Sequence, residues 1–281
     1  DIYSNHVSSI YGIQSSPLIV FGNNLFFNAR SSYEYEYELW KSDGTESGTV
    51  MVKDINPLGH SHPTNFTVVG NTLYFTAVDD TNGEELWRTD GTESGTMMIK
   101  DIRQGTLRSY IQYPTAFDDN LYFSATDAVN GLELWKSDGT ETGTVMVKDI
   151  NIGGSSFLGK LIVVDNVLYF EADDGINGCQ LWKSDGTETG TVMVDSNSTH
   201  NCGSDYLNFG SSLYFRADQT TNSNVSGWVS DGTPDRTNMI DGFYGSESVV
   251  DTNWWLFVHG TSLYMQVNLA SGQVLLVKIS I

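Results

Sequence analysis

Short apolar and aromatic runs, broken by Gly, Asn and Asp, follow one another along almost the whole chain. One stretch reads Asn65-Phe66-Thr67-Val68-Val69-Gly70, then Thr72-Leu73-Tyr74-Phe75-Thr76-Ala77, then Glu85-Leu86-Trp87-Arg88-Thr89, then Gly95-Thr96-Met97-Met98-Ile99-Lys100-Asp101-Ile102. Runs this short, rich in β-branched and aromatic residues and bounded by turn formers, are the mark of strands. Each such stretch therefore predicts four antiparallel strands. The first two are joined by Gly70-Asn71, with Gly22-Asn23, Asp165-Asn166 and Gly210-Ser211 as counterparts, residues that accept the positive φ of tight hairpins. No segment carries a capped, amphipathic helical pattern, so helix is expected to be nearly absent.

The pattern repeats. Glu38-Leu39-Trp40, Glu85-Leu86-Trp87, Glu133-Leu134-Trp135 and Gln180-Leu181-Trp182 are each followed by Asp-Gly-Thr, with a worn copy at Trp228. A second cassette, Leu-aromatic-aromatic, occurs at Leu25, Leu73, Leu121, Leu168 and Leu213, and as Leu263-Tyr264-Met265. Units of four strands recurring about every 47 residues are the signature of propeller blades. The expectation is an all-β, six-bladed β-propeller of four-stranded antiparallel blades forming one domain over residues 1–281. The last cassette lacks the Asp-Gly-Thr turn and a fourth strand. Asp1-Ile2 matches the end of the fourth strands (Asp54-Ile55, Asp101-Ile102, Asp149-Ile150), so the N- and C-terminal strands are expected to close the ring together. Five blades with decorated ends is the alternative. Trp40, Trp87, Trp135 and Trp182 are expected to fill the wedge between blades, and Lys53, Lys100 and Lys148 to place charge on exposed outer edges.

The run Glu-Leu-Trp-x-x-Asp-Gly-Thr-x-x-Gly-Thr-x-x-Val-Lys-Asp-Ile, at 38–55 and again at 133–150, resembles the ELWxxDGT repeat proteins. These are predicted secreted or surface proteins, largely bacterial. The likeness covers most of residues 25 to 240 and implies an extracellular repeat scaffold, with no shared activity to transfer. The fifth copy departs at Gly227-Trp228-Val229 and Asp235-Arg236-Thr237, and the sixth drops the motif. Ser42-Asp43-Gly44-Thr45 is also similar in placement to the Asp-box turns of sialidase-like propellers. Its chemistry is that of a turn: Asp accepts backbone N–H bonds, Gly supplies positive φ, and Thr bonds locally.

Charge narrows the function. Asp and Glu number 35 against 14 Lys and Arg, a formal charge of −21, which repels nucleic acid and anionic membrane surfaces. No apolar run approaches the roughly 20 residues of a membrane helix, so no membrane insertion is expected. The chain opens in mid-repeat, as a processed or trimmed start would. Sequons at Asn65, Asn197 and Asn224 are candidate glycosylation sites. Cys179 and Cys202 fall in neighbouring connecting segments, where a secreted protein would bridge them.

In a propeller, the loops joining strands two and three share a face with those leaving strand four, and in this chain both classes are long and unlike one another. Variable loops on a rigid scaffold are where binding residues usually sit. The candidate ligand-binding residues there are Tyr11, Tyr110, Tyr113, Phe157, Tyr206 and Tyr244. Aromatics interleaved with carboxylates suit sugars, and the expected role is an extracellular, lectin-like binding or adhesion module for carbohydrate or a surface protein. Asp79, Asp80, Asn82 and Glu84, or Asp173, Asp174 and Asn177, offer the hard oxygen donors that Ca²⁺ prefers. His6, His60 and His200 share a loop position that would suit a transition metal. No Gly-x-Ser-x-Gly elbow, phosphate loop or paired-Cys zinc pattern appears, and the arginines are scattered, although Arg103 and Arg108 share one loop. A calcium-dependent hydrolase or lyase and a non-binding structural spacer are the alternatives.

Overall fold

The computed structural model describes residues 18–30, 37–195, 200–219, 225–240, 255–260, 262–268 and 274–279. Tyr11, Tyr244, His6, Asn197 and Asn224 lie outside them. The described residues form six antiparallel sheets and no α-helix. Sheet 1 comprises β1 (Ile19–Phe21), β2 (Asn24–Ala29), β3 (Glu38–Ser42) and β4 (Val50–Lys53). Sheet 2 comprises β5 (Thr64–Val69), β6 (Thr72–Asp79), β7 (Gly83–Thr89) and β8 (Met97–Lys100). Sheet 3 holds β9 (Gln112–Phe117), β10 (Asn120–Thr126), β11 (Leu132–Ser137) and β12 (Val145–Lys148). Sheet 4 holds β13 (Ile162–Val164), β14 (Val167–Asp173), β15 (Cys179–Ser184) and β16 (Val192–Met193). Sheet 5 has β17 (His200–Phe209), β18 (Ser212–Gln219), β19 (Val225–Ser230) and β20 (Asn238–Met239), and sheet 6 has β21 (Trp255–His259), β22 (Ser262–Asn268) and β23 (Val274–Ile279). Within every sheet the strands follow chain order, and sheet 6 has three strands where the others have four. Two compact units result, one running to Leu161 and the other starting at Ile162.

Register explains the repeated triplets. Phe27 faces Trp40, Phe75 faces Trp87, Phe123 faces Trp135 and Phe170 faces Trp182 across adjacent strands. In the first unit, Trp87 packs with Leu73, Phe75 and Ala77 of its own sheet and with Phe26, Leu39, Val52 and Ile55 of sheet 1. Trp135 does the same between sheets 2 and 3, against Tyr74, Leu86, Ile99 and Ile102. In the second unit, Trp228 packs with Val164, Tyr169, Leu181 and Val194 of sheet 4. The tryptophans are thus inter-sheet filler, as their one-per-repeat spacing predicts.

The Asp-Gly-Thr segment is a closed circuit. Asp43 Oδ1 accepts from the Thr45 N–H at 2.9 Å and from the Thr45 hydroxyl at 2.7 Å; the Gly48 N–H donates to Thr45 Oγ1, and the Thr49 hydroxyl to the Thr45 carbonyl. Sheets 2, 3 and 4 repeat the circuit at Asp90, Asp138 and Asp185. Hydrogen bonds from Thr45, Thr92 and Thr140 hold the carboxyls of Asp43, Asp90 and Asp138 below the ordinary aspartate range. The second glycine is required sterically, because a Cβ on Gly143 would lie 2.0 Å from Asp138 Oδ1. Sheet 5 has Arg236 in that slot, and the turn tightens there into a 3₁₀ helix, Pro234–Arg236, with the guanidinium 3.4 Å from Asp231 Oδ2.

The lysines differ from expectation. Lys53 Nζ donates to the Thr96 carbonyl at 2.9 Å and Lys100 Nζ to the Thr144 carbonyl at 2.8 Å, each in the turn of the next sheet. Lys41 reaches the Gly91 carbonyl and Lys183 the Gly232 carbonyl in the same way. They tie sheet to sheet. A carbonyl left without a partner in that turn would be costlier than ordering a lysine stem.

Candidate functional site

At the opposite edge of the first unit, the glutamate of Glu-Leu-Trp organises the loops. Glu38, Glu85 and Glu133 are all buried, at 3%, 0% and 0% exposure. Glu133 Oε2 accepts from the Ile150 N–H at 2.9 Å, and Oε1 from the N–H groups of Asn151 and Ser156 at 3.4 and 3.1 Å. Glu38 accepts from the Ile55 N–H and from both the N–H and the hydroxyl of Ser61. Glu85 accepts from the N–H groups of Ile102 and Arg103, and Ser109 completes its set. One carboxylate thus holds both ends of the loop leaving the fourth strand. Burial pushes Glu85 and Glu133 up to about 7 despite these donors, and raises Glu38 as well.

The serine at the far end is a junction. The Ser61 hydroxyl donates to the Tyr37 carbonyl and Ser109's to the Glu84 carbonyl, while the Ser61 carbonyl accepts from Val78 N–H and the Ser109 carbonyl from Thr126 N–H in the next sheet. These bonds set the loop edges of sheets 1, 2 and 3 side by side. The residue after each junction is forced left-handed: His62 at φ 43°, Tyr110 at 53° and Phe157 at 47°. Such backbone costs on the order of 1 kcal/mol or more per residue and persists only where surroundings over-determine it. Tyr110 is 48% exposed and Phe157 68%, while Tyr113, 42% exposed, belongs to β9 and not to a loop as expected. The loops of this edge also carry Leu58, Leu107, Val129 and Ile152, none less than half exposed.

The two loop classes touch. A Cβ on Gly131, which sits at φ 75°, would lie 1.9 Å from the Gly154 carbonyl oxygen. Replacing Gly131 with Ala should therefore cost about 3 kcal/mol of unfolding free energy in urea titration. Gly153→Ala, with positive φ but open space around it, should cost about 1 kcal/mol, the backbone part alone.

Two basic loops stack on rings. Arg30 lies 5.1 Å over Tyr37, whose ring stacks on His62 at 5.6 Å, and Arg103 lies 5.7 Å from the Tyr110 ring. His60 Nδ1 accepts the Tyr37 N–H at 3.0 Å, which in the neutral ring places the proton on Nε2 and engages the nitrogen a metal would need. The His200 side chain is not among those described.

The expected calcium donors serve their own turns. Asp79 Oδ1 accepts from the N–H groups of Thr81 and Asn82, and its Oδ2 from the Asn82 amide. Asp80 accepts the Thr81 hydroxyl, and Glu84 gives its backbone carbonyl to Ser109. In the second unit, Asp173 accepts the Gly175 N–H, while Asp174 accepts Ile176, Asn177 and the Asn177 amide. Burial alone would raise Asp174, but the Asn177 and Ile176 bonds outweigh it and the carboxyl falls below its ordinary range. Among the described residues no group of three or more His, Cys, Asp or Glu is placed to hold a metal ion.

Tyr206 departs from its expected place. It belongs to β17, not to a loop, because the strand already starts at His200; its ring stacks on Phe215 at 5.7 Å and its hydroxyl donates to the buried carboxylate of Glu171. Burial drives the Tyr206 hydroxyl well above its ordinary range and Glu171 up to about 7. Asn65 sits at φ 55°, and the amide nitrogen that a glycan would occupy donates to Thr76 Oγ1 and to the Ile111 carbonyl, both at 3.3 Å. Cys179 is disulfide-bonded, and Cys202 is the other cysteine of the chain.

No family model matches the chain, and no curated protein does. Solved structures do. The chain is similar to a puromycin hydrolase solved in complex with PGG, with a TM-score of 0.55 at 12% identity over 94% of this chain and 43% of that one. It is also similar to a Mycobacterium tuberculosis puromycin-hydrolyzing peptidase, with a TM-score of 0.56 at 11% identity over 96% of this chain and 44% of that one. The chain thus spans less than half the length of these proteins, and the likeness is one of fold alone.

Proposed function

We propose that this chain is an extracellular binding or adhesion module that recognises a protein partner through the loop edge of sheets 1 to 3. The same reading takes the six sheets as blades of one propeller. The observation that carries it is the row of exposed apolar tips, Leu58, Leu107, Ile152 and Phe157, standing on loops fixed from below by buried carboxylates. Solvent-exposed aliphatic groups gathered at one edge, on backbone held in place before any ligand arrives, have the makeup of an interface core. Aliphatic tips favour a protein over a sugar, since sugars prefer flat rings. Tyr110 and Tyr113 are the observation that keeps carbohydrate as the second reading. A net charge of −21 favours a basic partner, and the disulfide at Cys179 fits an oxidising compartment.

The test is a paired screen of the full chain and its L107S/I152S/F157S variant against arrays of purified extracellular proteins and of glycans. Protein hits weakened roughly 100-fold or more by the three substitutions are expected, since anchor residues dominate interface energy. Protein hits that survive them would place recognition elsewhere on the chain. Glycan hits sensitive to Tyr110→Ala and Tyr113→Ala would select the carbohydrate reading.

A further inference from the structure

Sheet 4 fastens its loop edge differently from sheets 1 to 3. In sheets 1 and 3 the residue before the anchoring glutamate is held through its own N–H: Tyr37 donates to His60 Nδ1 and Leu132 to Ser155 Oγ, both at 3.0 Å and across 23 residues. The glutamate then holds the serine one place further on, Glu38 with Ser61 and Glu133 with Ser156. In sheet 4 the same two pairs of positions are Cys179 with Cys202 and Gln180 with Gly203, again 23 residues apart. The second pair has lost the chemistry of the anchor, because Gln180 turns its amide to the Asn177 carbonyl and a glycine has no hydroxyl to give. The first pair has become two cysteines. Cys179 is disulfide-bonded, and with no third cysteine in the chain its partner is Cys202.

Topology gives the bridge the duty of the serine junctions. Cys179 opens β15, paired with Asp173 in sheet 4, whereas Cys202 lies on β17 between His200, which pairs with Gln219, and Gly203, which pairs with Ala217. A bond between them joins sheet 4 to sheet 5, as the backbone bonds of Ser61 and Ser109 join their sheets to the next. Further along β17 the Tyr206 hydroxyl donates to Glu171, and Tyr206 packs on the apolar cluster of Leu181, Leu213, Phe215 and Trp228. That layer holds the two sheets together without sulfur. Cys179 itself is half-buried and lies just past the exposed residues 175–177, where a dissolved thiol can reach it.

We infer that the disulfide between Cys179 and Cys202 is a thiol-operated clamp: it holds the loop edge joining sheets 4 and 5, where sheets 1 to 3 use a glutamate and a serine, and reduction opens that edge alone. A dithiol supplies the two electrons. Its thiolate attacks one cysteine sulfur and releases the other cysteine as thiolate; its second thiolate then closes the reagent's own disulfide and releases the first cysteine. The two protons of the dithiol end on the two cysteines. The anchors of sheets 1 to 3 contain no sulfur and do not respond to that reagent. The device lies in the second unit and does not rest on partner recognition at sheets 1 to 3.

The test reduces the full chain with dithiothreitol and follows amide hydrogen exchange by mass spectrometry. Exchange faster by about tenfold or more is expected at residues 179–180 and 200–204, with residues 206–209 and the anchored loops of sheets 1 to 3 unchanged. Removing the reagent and adding oxidised glutathione should bring back the slow rates. Unchanged exchange at 200–204 in the reduced chain overturns the clamp. So does a rise spread over the whole of sheets 4 and 5, which would make the bridge a staple of the entire unit. Fast exchange that persists after reoxidation overturns the switch. C179S/C202S should match the reduced chain with or without dithiothreitol. Adding Gln180→Glu and Gly203→Ser to it installs the pair that sheets 1 and 3 carry, and should recover most of the lost protection; no recovery overturns the equivalence of the two fastenings.

Discussion

Glu133→Ala is expected to remove about 3 kcal/mol or more of unfolding free energy, measured by urea titration at pH 6. The carboxyl group is fully buried and gathers the N–H groups of Ile150, Asn151 and Ser156. Removing it leaves these donors without their acceptor, and a buried donor with no partner costs roughly 1–3 kcal/mol. The loss should also be local in origin. Amide exchange at Ile150, Asn151 and Ser156 should quicken before the strands of sheet 3 follow, and the left-handed Phe157 should relax because its neighbour Ser156 is no longer held. A stability loss of under about 1 kcal/mol would mean that the Ser156 hydroxyl bond to the Leu132 carbonyl, at 2.8 Å, suffices to fix the loop.

The second large effect is on pH. Glu85, Glu133 and Glu171 have native pKa values near 7 against an ordinary 4.5, with burial as the leading cause. Between those two values the native chain holds protons that the unfolded chain has released, so stability must rise as pH falls from about 7 to about 4.5 and be lowest above 7. Each group contributes on the order of 3 kcal/mol across that window, from a shift of about 2.5 units at 1.36 kcal/mol each. Below about 3.8 the sign reverses. Asp43, Asp90, Asp138 and Asp231 titrate lower in the native turns than in the open chain, and their contribution is lost as they protonate. Urea titrations from pH 3 to 8 should therefore show a maximum near pH 4 to 5. Relief of the −21 charge acts in the same direction on the alkaline limb. Glu133→Gln separates the two: it changes the net charge by one but cannot ionise, and it should remove close to a third of the slope that the three glutamates supply. An unchanged slope in that variant would mean that Glu133 takes no part in the pH dependence.

Much of this architecture was legible because the residues responsible are large, recur at one spacing and act locally. Trp87 and Trp135 announce their inter-sheet role by recurrence, and the Asp-Gly-Thr circuit closes within seven residues, from Ser42 to Thr49. The loop anchors were not legible for the opposite reason. Glu38 and Ser61, or Glu133 and Ser156, are 23 residues apart and meet only in the folded chain. The serine is chemically anonymous, and its one signal is a Ser-aromatic or Ser-His pair at Ser61-His62, Ser109-Tyr110 and Ser156-Phe157. Aromatic residue type alone points to Phe157 and Tyr110, whereas the meaning of Leu58, Leu107, Val129 and Ile152 depends on exposure rather than on residue type. The place of Tyr206 turns on a strand boundary: His200 to Tyr206 reads as loop chemistry, yet the backbone pairs His200 with Gln219 and continues as strand.

Sheet 4 carries Gln180 where sheets 1 to 3 carry the anchoring glutamate, and its amide donates to the Asn177 carbonyl. It is also the sheet in which Cys179 is bridged. Elsewhere, each carboxylate grips only the loop that leaves its own sheet. The exit segments therefore behave as replaceable fittings, each clipped to one socket, and a loop can diverge in length and residue type without unsettling its neighbours so long as the two clipped ends survive.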